Sequence, residues 1–87
     1  MAERAVLRTG GNVLRVEVRD ISSLGARVAA DVRLVCGDRT LIELPNLPAI
    51  GAFVRWSDGQ EAGLAFETPI PMQIIAHWLH ARLKVAA

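Results

Sequence analysis

Tyrosine is absent from this 87-residue chain, cysteine occurs once, and two tryptophans and two phenylalanines supply all the aromatic area. Cys36 therefore has no partner for an intramolecular disulfide, and no Cys or His stands near it at zinc-ligand spacing. Its expected place is that of a small buried hydrophobe. An excess of one charge is also missing: the formal net charge is +1, whereas a general polyanion binder carries a clustered basic face. With so few aromatics, this argues against an OB-like barrel that grips single-stranded DNA or RNA by base stacking. No apolar run approaches the roughly 18 residues that span a bilayer. The opening Met-Ala-Glu-Arg-Ala lacks the charged-then-apolar order of a signal peptide, so the expectation is a cytoplasmic protein without a membrane span. No spacing pairs a nucleophile with a base, two carboxylates or three metal ligands, so neither catalysis nor a cofactor or metal is expected.

What remains is one small domain. A chain of this length buries only about 60% of its unfolded surface, but 52% of its residues are hydrophobic and 22% charged, a composition that folds. Val13 to Arg19 alternates apolar and polar residues, the period of a strand with one buried face. Ala5 to Thr9 is a short strand before it, and Gly10-Gly11-Asn12 supplies the positive-φ residues of a hairpin turn. Ala26 to Ala30 and Asp31 to Val35 both read as extended, Cys36 to Arg39 as a turn, and Thr40 to Leu44 as a strand that Pro45 and Pro48 stop. Ala49 to Trp56, a turn at Ser57 to Gln60, and Glu61 to Glu67 complete the series. Six or so short strands with regular turn signals predict a barrel or sandwich. Trp56 and Phe66 are expected in its core. After Pro69 and Pro71 the period changes. Ile74, Ile75, Trp78, Leu79 and Leu83 recur at helical spacing, predicting a helix over 70–85 that closes one end of the barrel. His77 and His80 are adjacent on that helix but have no third ligand, so a solvated flank is expected.

The most specific feature is Asp20-Ile21-Ser22-Ser23-Leu24-Gly25 at the end of the alternating strand. It matches D-x-S-x-x-G and is followed in order by Leu-Pro-x-Leu-Pro at Leu44 to Pro48, Phe53-Val54-Arg55-Trp56, Gly63-Leu64-Ala65-Phe66 and a terminal helix. In these motifs the chain resembles the PilZ domain family. The resemblance implies an antiparallel β-barrel with a C-terminal helix, organised as an N-terminal arginine segment and turn (1–12), the barrel (13–67) and the helix (70–85). It also implies a receptor for cyclic di-GMP that relays the signal to an effector protein. Asp20 and Ser22 would contact the ligand, the carboxylate accepting guanine N–H bonds and the hydroxyl meeting base or phosphate. Gly25 would serve the turn or the ligand's close approach.

The family's second motif is R-x-x-x-R ahead of the first strand, and Arg4-Ala5-Val6-Leu7-Arg8 fits it literally. Guanidinium suits the role because it binds phosphate and guanine bidentately and stacks on purines. The spacing is short, however: only eleven residues separate Arg8 from Asp20. Either Arg4 and Arg8 form the clamp, with Gly10-Gly11 as a hinge on which ligand orders the segment, or Ala5 to Thr9 is itself the first strand and both arginines are solvent-facing. Arg15, Arg19 and Arg27 are possible substitutes. Their plainer reading, shared by Arg55, is a solvated outer face, with Glu17 as an ion-pair partner for Arg15 and Arg19. The shortened arginine region leaves a second possibility open, a degenerate domain that works as a protein-interaction adaptor without nucleotide. Oligomeric state is not legible.

Overall fold

A computed structural model describes residues 3–78 of the chain. Six antiparallel strands, β1 (Glu3–Thr9), β2 (Asn12–Ile21), β3 (Gly25–Ala29), β4 (Arg39–Glu43), β5 (Ile50–Ser57) and β6 (Glu61–Phe66), close into a barrel in the order β1-β2-β3-β6-β5-β4. Closure leaves no edge strand, so every strand finds two neighbours for its backbone groups.

The alternation of β2 behaves as its sequence implies. Val16 and Val18 point inward and are buried, while Arg15 points out. Leu7 of β1, Val28 of β3, Ile42 of β4, Val54 of β5 and Leu64 of β6 meet them in one core. Burial of each such side chain stabilises by about 1.5–3 kcal/mol. Among the described residues Thr40 is the buried polar exception, and its hydroxyl donates to the Ala52 carbonyl at 3.3 Å. Gly10 and Gly11, at φ 55° and 81°, form the two-residue turn that pairs Thr9 with Asn12, as a primed hairpin turn demands. Pro45 and Asn46 make the other informative turn. Leu47 N donates to Leu44 O at 3.2 Å with Asn46 at φ 66°, the arrangement in which proline precedes a residue tolerant of the left-handed region.

Of the expected helix, residues 72–78 are described; Leu79, His80 and Leu83 lie outside the described residues. Ile75 and Trp78 are buried, and the Trp78 Nε1 donates to the Pro45 carbonyl at 3.0 Å. The helix therefore packs its apolar side on the barrel next to the proline turn, with Ile74 and His77 exposed.

Four expectations need correction. Asp31 to Val35 is a loop, not a strand. It folds over the tip of the β5–β6 hairpin, where Leu34 N donates to Ser57 Oγ at 2.8 Å and Arg33 donates to the carbonyls of Ser57 and Asp58, both at 3.3 Å. Cys36 is exposed, not buried, because it stands in the turn after that loop, beside Gly37 at φ 92°. Trp56 is 42% exposed and outside the core, for a reason that shapes the site described next. Gly10-Gly11 is no hinge, since residues on both sides are paired barrel strands.

Candidate functional site

Two β-bulges build the most distinctive face of the barrel. Strict alternation would send Asp20 inward after Val18 and Arg19. Instead the β2–β3 register shifts between Val18 and Asp20, so Arg19 and Asp20 both face solvent. On β5 the register shifts between Val54 and Trp56, and Arg55 and Trp56 both turn outward in the same way. An extra residue in one strand reverses the side on which the following side chains emerge.

Cross-strand register then aligns the results. Asp20 stands opposite Arg27, Arg27 opposite Gly63, and Gly63 opposite Trp56. This row runs across four neighbouring strands, a span of roughly 14 Å at the usual strand spacing. Gly63 matters because the indole of Trp56 occupies the space that a side chain there would fill. Ala26 and Arg27 line two shallow hollows: one of about 210 Å³ with Asp20, Ile21, Ser22 and Gly25, the other of about 390 Å³ with Arg55, Trp56, Gly63 and Leu64.

The electrostatics centre on Arg27. Its Nε donates to Asp20 Oδ2 at 2.8 Å, its Nη2 stands 2.6 Å from the same oxygen, and its Nη1 donates to Glu61 Oε1 at 3.4 Å. The guanidinium pKa is raised from its ordinary value, first by the hydrogen bond to Asp20 and then by the charges of Asp20 and Glu61. Arg19 lies 3.3 Å from Glu17 and 3.9 Å from Glu61. The Asp20 side chain keeps 68% exposure. Both of its ion-pair contacts among the described residues go to Oδ2, and Oδ1 remains able to accept a hydrogen bond from an incoming N–H.

Ser22 and Gly25 also hold the local backbone. Ser22 N donates to Gly25 O at 2.8 Å, Leu24 N donates to Ser22 Oγ at 3.3 Å, and Ser22 Oγ donates to Gly25 O at 3.4 Å. The serine hydroxyl is thus engaged inside its own turn. A β-carbon on Gly25 would meet the Leu64 carbonyl oxygen at 2.1 Å, so this glycine permits β3 to approach β6.

The remaining arginines divide. Arg4 and Arg8 are both exposed residues within β1, not in a segment ahead of it. Four residues apart on one strand, their Cα atoms are about 13 Å apart. Arg4 shares a hollow of about 310 Å³ with Arg15, Glu17 and Arg19, which brings it to the flank of the Asp20 row. Arg8 sits toward the Gly10-Gly11 turn and pairs with Glu43 at 2.6 Å. The structure therefore gathers Asp20, Arg27 and Arg19, with Arg4 alongside, and leaves Arg8 apart. Trp56 and Gly63 belong to the same face but did not emerge as site residues from sequence. The readable signal was an aromatic beside an arginine ahead of a Gly-rich segment, but only the bulge reveals which way it points.

The described residues hold no cluster of His, Cys, Asp or Glu that could bind a metal ion, and no helix among them is long and apolar enough to cross a membrane. A family model for the PilZ domain matches residues 1–81. No curated protein matches the chain.

Proposed function

This chain belongs to the PilZ domain family, whose members are in general cyclic di-GMP-binding modules, and we propose that it binds cyclic di-GMP on the Asp20–Arg27–Trp56 face and relays the signal to a protein partner in the cytoplasm. The observation that carries this reading is the row itself. An exposed carboxylate with an open oxygen, a guanidinium beside it and an exposed indole stand in line on one wall. Each has a complementary part in a guanine nucleotide. The carboxylate accepts from guanine N–H groups, the guanidinium binds phosphate or the guanine acceptors, and the indole offers a stacking surface for a purine. Arg19 and Arg4 supply further positive charge on the side toward β1. The ligand would occupy a preformed wall of the barrel, so the relay works through the surface it adds and the ion pairs it breaks.

A second reading is favoured by one specific observation. Both arginines of the literal R-x-x-x-R lie within a barrel strand, and Arg8 is paired with Glu43, which supports a domain that acts as a protein-interaction adaptor without nucleotide. Isothermal titration with cyclic di-GMP separates the two. The receptor reading expects micromolar binding that Asp20→Ala and Arg27→Ala each abolish, that Arg4→Ala weakens and that Arg8→Ala leaves unchanged. No heat from a folded wild-type protein would sink it in favour of the adaptor.

A further inference from the structure

Three carboxylates share two guanidinium groups on the candidate face: Glu17 and Glu61 flank Arg19, while Asp20 and Glu61 flank Arg27. Glu61 is the one that reaches both arginines. It opens β6 opposite Ala29, which in turn stands opposite Glu17, so a small side chain separates the two glutamates and leaves Glu61 room to lean toward either arginine. The Glu61 backbone is held independently of its side chain. Its N–H donates to Asp58 Oδ1 at 2.7 Å and its carbonyl accepts from Asp58 N at 3.1 Å. The carboxylate can therefore be neutralised without disturbing the strand.

A phosphate that seeks Arg19 or Arg27 must displace or repel this carboxylate. We infer that Glu61 sets the affinity of the face for phosphorylated ligands, acting as a built-in competitor that occupies both arginines until a phosphate replaces it. The inference rests on the proposed nucleotide reading and names a residue that restrains binding, where Asp20, Arg27 and Trp56 promote it. Glu61 is a positioning residue here, because it acts on the ligand through the two guanidinium groups.

The test uses inorganic pyrophosphate as a probe that carries no base, followed through the Nε–Hε resonances of Arg19 and Arg27 in the wild type, Glu61→Gln and Glu43→Gln. Removing two weak exposed ion pairs is expected to lower the half-saturating pyrophosphate concentration about three- to tenfold in Glu61→Gln. Glu43→Gln removes the partner of Arg8 and touches neither Arg19 nor Arg27, so it should match the wild type. An equal or weaker response in Glu61→Gln, or no response of these resonances in any variant, overturns the inference. Cyclic di-GMP added to the same samples tests the underlying reading separately. A pyrophosphate response enhanced by Glu61→Gln without dinucleotide binding would overturn the ligand and keep the role of Glu61. Dinucleotide binding that Glu61→Gln does not tighten would overturn the role of Glu61 and keep the ligand.

Discussion

The indole of Trp56 lies across Gly63 so closely that a β-carbon built on the glycine would stand 2.1 Å from Nε1 and 2.7 Å from Cδ1. Glycine at position 63 is thus what lets the tryptophan fold down onto the barrel wall beside Arg27. In Gly63→Ala the indole must swing away. Because Trp56 is a surface side chain, the fold should survive with little loss of stability. The Trp56 indole N–H resonance should move while that of Trp78 stays. Cyclic di-GMP affinity should fall by about five- to a hundredfold, in line with the loss of one base-stacking contact. Unchanged affinity with a displaced indole would remove Trp56 from the site.

Gly25→Ala should fail differently. The added methyl meets the backbone carbonyl of Leu64, which cannot rotate out of the way, so the β3–β6 pairing has to open. A cost of about 1–3 kcal/mol is expected from such overpacking, read as a lower midpoint in urea denaturation. A folded, equally stable variant that merely lost ligand would assign this glycine to the binding surface instead of the strand pairing.

Trp78 ties the helix to the proline turn. Trp78→Phe retains most of the apolar area and removes the donor to Pro45 O, with an expected cost of about 0.5–1.5 kcal/mol. Trp78→Ala also empties buried volume and should cost about 3–5 kcal/mol. Thermal unfolding of the two variants checks the order. Equal losses would mean that the buried volume adds nothing beyond the hydrogen bond, and no loss in Trp78→Phe would mean that the hydrogen bond contributes nothing.

Asp58 gives the fold an acid-sensitive turn. Its Oδ1 accepts from the backbone N–H groups of Gln60 and Glu61 at 2.9 and 2.7 Å. Its pKa is lowered chiefly by the Glu61 and then the Gln60 hydrogen bond. Because the folded value lies below the unfolded one, the stabilisation is fully present above about pH 4 and is lost as pH falls through the depressed folded value. Wild type should therefore exceed Asp58→Ala in stability at neutral pH, and the gap should close in acid. A gap that is constant from neutral pH down to pH 2 would contradict this account.

Much of the architecture was readable in the chain. Alternation from Val13 to Arg19, the Gly10-Gly11 and Asp58-Gly59 turns and the prolines at 45 and 48 place the strands within a residue or two, because period and turn chemistry are local properties. Asp31 to Val35 escaped this logic, since a segment of that composition becomes a strand only if a neighbouring strand offers it a ladder, and the closed barrel has none left. In the described part of the helix, residues 72–78, Ile75 and Trp78 are buried as the apolar stripe implies, though Ile74, counted with that stripe, faces solvent.

The site was legible in part. The hexapeptide Asp20 to Gly25 pointed to the strand end at which the Asp20–Arg27–Trp56 row begins, but the sequence by itself could not separate a residue that faces outward from one that shapes a turn. It determined the places of the six strands that form, the turns, the family and the position of Asp20, because each is written in a short stretch of neighbouring residues. The tertiary structure decided which way the side chains near Asp20 and Trp56 emerge, that Arg27 comes to lie beside Asp20 while Arg8 pairs with Glu43, and that the Ser22 hydroxyl bonds within its own turn. A bulge is a mismatch between two strands, and an ion pair across a barrel joins residues far apart in the chain, so neither exists until the strands have paired.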